Sequence, residues 1–197
     1  MNATNLILAL MASTSLVGLY GTPVLIERGL FRPYWLLPRR QYATLLSSGF
    51  LHADLPHLLF NGITLWSFGG SLEGAMGTPM FVALYLVSLI VSDWGTWIKH
   101  RDDPNYASLG ASGAILGVLF ASIVYFPTRS LYMMFLPVPI PGPLFAVGYL
   151  AYTWYASRQR RGRINHDAHF SGALAGLGFV ALFEPYAWSR ALELLSR

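Results

Sequence analysis

The chain has 197 residues, of which 54% are hydrophobic and only 11% charged, with a formal net charge of +4 and no cysteine. Soluble domains carry about 25% charged residues, and a chain without thiols can form neither disulfides nor thiolate metal sites. The excess of 13 Lys and Arg over 9 Asp and Glu suits loops beside anionic lipid headgroups better than a nucleic-acid surface.

The positions of the charges say more than their number. Residues 1–26, 55–72, 74–92, 104–128, 130–157 and 168–183 contain no Asp, Glu, Lys or Arg, and five of these six runs hold at least 18 residues. A helix crosses about 30 Å of hydrocarbon with roughly 20 apolar residues. The pattern predicts an all-α membrane protein with six transmembrane helices, forming a single domain over 1–197 with no soluble domain beside it.

The first helix is expected over about 5–26. It lacks a basic leader and is long enough to span, so it reads as a retained helix rather than a signal peptide. The segment 27–54 mixes Arg28, Arg32, Arg39 and Arg40 with Phe31, Trp35, Leu36 and Phe50, broken by Pro33 and Pro38. It is expected to lie partly embedded among headgroups. Further helices are expected over about 56–72, 80–97, 110–126, 144–157 and 166–183, the fifth starting after Pro137, Pro139, Pro141 and Pro143. With six helices, the loops after the first, third and fifth hold ten Lys and Arg against three on the other side. The positive-inside rule places those loops in the cytoplasm.

Polar side chains at membrane depth are costly and mark function or packing. His57 and Asn61 stand one turn apart on one face of the second helix. His169, Gly172 and Gly176 share a face of the sixth, and Gly113, Gly117 and Ala121 form a small-residue stripe on the fourth. Helices with such stripes approach closely, and packing these two together would bring Ser112 and His169 toward one membrane face. A hydroxyl within hydrogen-bond reach of an imidazole is what a serine nucleophile needs. Each residue alone also has a plain structural role open to it, and a small histidine-using proton transporter fits some of them. The polar groups cluster near one face, however, whereas a transport path would cross the whole membrane. No carboxylate completes a triad, Asp167 being too near His169 along the helix. A metal site built from His52, His57 and His169, or from His166 and His169, lacks further ligands. Neither metal nor cofactor is expected.

The motifs resemble those of the rhomboid intramembrane serine proteases. Gly110-Ala111-Ser112-Gly113 matches the family's GxSG, and Ala168-His169 followed by Gly172 and Gly176 matches AHxxGxxxG. His57 and Asn61 match HxxxN, and Gly69, Glu73 and Gly77 match GxxxExxxG. The resemblance implies a Ser112–His169 dyad without an acid, with Ser112 as nucleophile and His169 as general base. It implies an oxyanion hole from His57, Asn61 and the Ser112 backbone N–H, with Gly110, Gly113 and Gly172 structural near the site. Glu73 would tie the end of the second helix to a neighbouring loop. The implied partners are transmembrane protein substrates and the lipid bilayer. The implied location is a bacterial plasma membrane, with the site open to the outside, opposite to the arginine count. The chain departs from the family at Ala43 and Thr44, where many members carry Trp-Arg. It departs again at Leu116, where an aromatic often stacks on the histidine. The rival within the resemblance is an inactive relative that binds transmembrane helices without cutting them.

Overall fold

Helix starts follow capping chemistry. The Asn2 side chain accepts from the Asn5 N–H at 2.9 Å and opens α1 (Ala3–Leu16). Asp54 accepts from the His57 N–H at 2.8 Å and opens α5 (Leu55–Met76). Each satisfies a backbone donor left over at a helix N-terminus. Proline stands in the first turn of α2 (Pro23–Gly29), α3 (Pro33–Leu36) and α6 (Thr78–His100). It does so again in α8 (Gly142–Ser157) and α10 (Pro185–Leu195), positions where its missing N–H costs nothing. The short α4 (Thr44–Ser47), the central α7 (Ser112–Tyr125) and α9 (His166–Phe183) complete the helices. This computed structural model describes residues 2–133, 136–159 and 164–196. Residues 160–163, four of the six in the basic run 158–163 that follows the fifth expected helix, lie outside the described residues.

The first expected helix differs from the one formed. It is α-helical only to Leu16, widens into a π turn over Val17–Gly21 and stops at Thr22. Pro23 then starts α2, because a proline cannot supply the N–H that a continuing helix needs. The proline-rich stretch before the fifth helix is not purely irregular. Strands β1 (Ser130–Met133) and β2 (Leu136–Pro141) pair antiparallel, with Leu131 opposite Ile140 and a register shift after Tyr132. The sixth helix is followed by α10, bent 104° from α9.

Every residue of α7 from Gly113 to Val124 is buried, so α7 is the axis around which the rest packs. α6 turns one face inward through Phe81, Leu84, Tyr85, Ser88, Leu89 and Ser92, a recurrence of three and four that marks one side of a helix. α1 contributes Ile7 and Met11, and α5 contributes Leu58, Leu65 and Leu72. The outer surface carries exposed Leu59, Ile63, Trp66, Val147 and Leu182, the inverse of a water-facing surface and suited to hydrocarbon. The fold is predominantly helical. Among the described residues, Ala3–Gly21 and Thr78–His100 are long and apolar enough to cross a membrane, and α9 with α10 qualifies as a bent pair. Six spans are therefore not reached on helix length and composition. At 14 residues, α7 extends only about 21 Å.

Glu73 holds the end of α5. Its carboxylate accepts from the N–H groups of Ala3 and Thr4 at 2.8 Å each, and from the hydroxyls of Thr4 and Thr78 at 2.7 Å each. Its partners are thus the starts of α1 and α6, not a loop. A carboxylate at a helix N-terminus meets both free amides and the positive end of the dipole. Glu73→Ala strands these buried donors and is expected to cost about 3 kcal/mol. The expected reading is a lower thermal midpoint in detergent, with Glu73→Gln in between; an unchanged midpoint for the alanine variant would contradict this.

Candidate active site

Two helices meet backbone to backbone at the small-residue stripes. A Cβ on Gly172 would stand 2.2 Å from the Gly113 carbonyl oxygen, and one on Gly176 would stand 2.1 Å from that of Gly117. On its other side Gly113 abuts Ser92 of α6, whose Cβ lies 2.3 Å from where a Gly113 Cβ would be. This approach seats the first turn of α7 against the first turn of α9. Ser112 Oγ and His169 Nε2 stand 2.9 Å apart, with the two residues 57 positions apart in the chain.

The turn before Ser112 is set by its neighbours. Gly110 has φ +127°, a conformation disfavoured for L side chains, and a Cβ there would fall 2.4 Å from His57 Cε1 and 2.8 Å from Nε2. Its N–H donates to the Ser48 carbonyl at 2.9 Å, while the Ser48 hydroxyl donates to the buried Asp93 carboxyl at 3.2 Å. Phe31 and Ser108 exchange backbone hydrogen bonds at 2.9 and 3.0 Å. The segment 27–54 is thus stitched to the approach to α7. Where the family's Trp-Arg pair is absent, Thr44 is buried and donates to the Gln41 carbonyl at 2.6 Å. The same segment stacks the Arg39 guanidinium on Trp35 at 3.6 Å and pairs Arg32 with Glu27.

His57 and Asn61 lie on one face of α5. The His57 ring packs against Gly110 and meets the His52 ring edge-on at 4.9 Å. Burial, with His57 beside it, pushes the His52 ring down to about 3, so it is neutral at pH 7. Its Nδ1 is 2.9 Å from the Ser15 hydroxyl. The Asn61 amide nitrogen is buried and has no hydrogen-bond partner among the described residues. Buried donors ordinarily find one.

The start of α9 is fixed by polar ties that the sequence did not single out. Asn165 accepts from the Ala168 N–H at 3.0 Å and donates to Thr96 Oγ1 at 2.9 Å. Asp167 accepts from Lys99 at 2.8 Å and contacts His100 Nε2 at 3.1 Å, and Lys99 also donates to the Ser157 carbonyl at the end of α8. These ties bind the ends of α6 and α8 to the start of α9. Between them lies a cavity of about 580 Å³ lined by Lys99, His100, Tyr106, His166 and Asp167 among others. The His166 ring is centred 6.0 Å from that of His169, while His169 and Ser112 are not among the residues lining the cavity. The second unforeseen neighbour is Tyr149 on α8, whose hydroxyl is 3.0 Å from His169 Nδ1. Nothing in its apolar context marks it out by sequence.

A hydroxyl within hydrogen-bond reach of an imidazole at a helix N-terminus is an arrangement that acyl-transfer chemistry uses. The Rhomboid domain family model matches residues 39–185. The chain belongs to the rhomboid family. Rhomboid proteins are generally intramembrane serine proteases. The chain is 30% identical over 200 residues to Rhomboid protein 1, mitochondrial, of Saccharomyces cerevisiae, covering 96% of this chain and 55% of that one. It is 32% identical over 158 residues to the human Presenilin-associated rhomboid-like protein, mitochondrial, covering 77% and 40%. RHOMBOID-like protein 12, mitochondrial, of Arabidopsis thaliana is 28% identical over 145 residues, covering 66% and 43%. The chain thus spans about half the length of these relatives or less. All three are named as mitochondrial proteins, which overturns the expectation of a bacterial plasma membrane. The motifs alone are blind to this, because they describe the site and not the membrane around it.

Proposed function

We propose that this rhomboid protein is an intramembrane serine endopeptidase that cleaves transmembrane segments of other membrane proteins. The observation that carries the reading is the 2.9 Å contact between Ser112 Oγ and His169 Nε2, within reach for proton transfer. Ser112 Oγ attacks the carbonyl carbon of the scissile peptide while its proton passes to His169 Nε2. The imidazolium then gives that proton to the departing amine, leaving an acyl-enzyme. Water attacks the ester, again losing a proton to His169, and the acid product leaves. The chemistry calls for no metal or cofactor.

The negative charge that grows on the carbonyl oxygen needs donors already in place. Ser112 opens α7, where the first amides have no acceptor within the helix, so its own N–H is one. The unpartnered Asn61 amide and the His57 imidazole are the others in this reading. Gly110, Gly113 and Gly172 are structural: they let the turn, α6 and α9 come close enough to hold these groups together. Asn61→Ala is expected to lower kcat by about 10²-fold with KM little changed. Steady-state cleavage of a single-span substrate checks this, and an unchanged kcat removes Asn61 from the site.

The reading includes six membrane crossings in a rhomboid-like bundle formed by the single domain 1–197, the short α7 being sheathed by its neighbours. A helical substrate hides its carbonyls in intrahelical bonds, so the cut requires local unwinding. Substrates with helix-destabilising residues and a small residue before the cut fit the family resemblance. The test is fluorophosphonate labelling of the protein in liposomes, with mass-mapped cleavage of a single-span substrate. Covalent capture and a cut within or beside the span are expected. Substrate binding without either would instead support the non-cleaving, helix-binding relative.

A further inference from the structure

A serine–histidine pair without an acid leaves the second imidazole nitrogen unassigned. Neutral histidine carries one hydrogen, and whichever nitrogen holds it can only donate. His169 Nε2 must be bare to receive the Ser112 proton, so the hydrogen belongs on Nδ1, where it needs an acceptor. Among the described residues, the group within hydrogen-bond distance of Nδ1 is the Tyr149 hydroxyl, at 3.0 Å. The Tyr149 ring also lies nearly parallel to the imidazole, at 6.5 Å and 25°.

Tyr149 is itself held. Its ring stacks on Phe145 at 5.4 Å and tilts against Phe120 at 6.0 Å, and its carbonyl accepts from the buried Thr153 hydroxyl at 2.9 Å. Leu116, one turn into α7 from Ser112, packs in the same cluster. An aromatic ring is therefore supplied to the imidazole from α8 rather than from α7.

We propose that Tyr149 is the positioning residue of the base: its oxygen accepts the His169 Nδ1–H, fixing tautomer and ring plane so that Nε2 faces Ser112. This rests on the protease reading. A buried carboxylate does the same in acid-containing triads and also stabilises the imidazolium by charge. A neutral phenol orients without that charge, so its removal costs a single hydrogen bond's worth of alignment. Because Tyr149 rides on α8, the base is aligned only while α8 is seated against α9. Any displacement of α8 that opens the site must be reversed before the proton can move.

Tyr149→Phe keeps the ring and removes only the oxygen. In the full chain it is expected to lower kcat and the rate of fluorophosphonate capture about tenfold, with KM within about twofold and the thermal midpoint unchanged. Nitrogen-15 spectra of the imidazoles, with the His169 signal assigned by its loss in His169→Ala, should show Nδ1–H in the wild type and a shift toward Nε2–H in the variant. Tyr149→Leu removes the ring as well. Equal losses in both variants place the effect on the hydroxyl and support the proposal. A phenylalanine variant with wild-type rates and tautomer overturns it, including when the leucine variant falls, since ring packing then suffices. Wild-type protein that is neither captured nor cuts would sink the protease reading itself, so the two failures are distinguishable.

Discussion

Ser112→Ala is expected to reduce cleavage of a transmembrane substrate by on the order of 10⁵-fold and to abolish fluorophosphonate capture. The variant removes one oxygen at the start of α7 and nothing else. Its neighbours Gly110, Gly113 and His169 are placed by the backbone bond to Ser48, the contacts with Ser92 and Gly172, and the Tyr149 hydroxyl. None of these runs through the serine side chain, so the thermal midpoint should not move. What is lost is the atom that becomes the acyl oxygen. No other described hydroxyl is hydrogen-bonded to Nε2 of His169, the nitrogen that must take the proton. Persistent cleavage in the purified variant would mean that the chemistry lies elsewhere, and the assignment of the dyad would fall.

Gly172→Val is expected to prevent assembly of the fold, a loss above about 4 kcal/mol. The new Cβ would stand 2.2 Å from the Gly113 oxygen, 2.7 Å from its carbonyl carbon and 2.8 Å from its Cα. These are backbone atoms of a helix buried along its whole inner length, so no rotamer change relieves the overlap. α7 and α9 would have to separate, taking Ser112 from His169. Gly178, two residues beyond Gly176 on the same helix, has nothing within 4 Å of a Cβ. Gly178→Ala should therefore be neutral or stabilising by up to about 1 kcal/mol, through helix propensity alone. Circular dichroism melts and gel filtration in mild detergent measure both. A folded Gly172→Val with a wild-type midpoint would contradict the close approach.

How far the sequence could be read depended on whether a feature repeats along one helix or arises between two. The stripe from Gly113 to Ala121, the pairing of His57 with Asn61 and the run from His169 to Gly176 are periodicities within single helices, visible without coordinates. The amphipathic α10 was missed because exposed Arg190 and Glu193 interrupt the run of apolar residues along the chain while Ala187, Trp188 and Ala191 face the core, and a search for charge-free runs passes over it. The pairing of β1 with β2 was missed because alternating prolines argue against strands. Tyr149 and Lys99 were missed for another reason. Their roles depend on the rotation and depth of α8 and α6 relative to α9, which no local pattern encodes. Glu73 was seen as a tie, but besides Thr78 its partners lie 69 and 70 residues away at the start of the chain.

The burial of α7 also bears on how the protein is made. The helix that carries Ser112 is covered by α5 and α6, which leave the ribosome before it, and by α9, which emerges last among its main neighbours. Until α9 arrives, the Gly113–Gly117 stripe faces lipid or a chaperone, and a nascent chain ending at α8 holds the hydroxyl without its imidazole. If the protease reading holds, the Ser112–His169 pair forms only once α9 has been made, so an unfinished product is expected to be inert toward its neighbours in the membrane. It also displays an unsatisfied helix face that quality control can recognise.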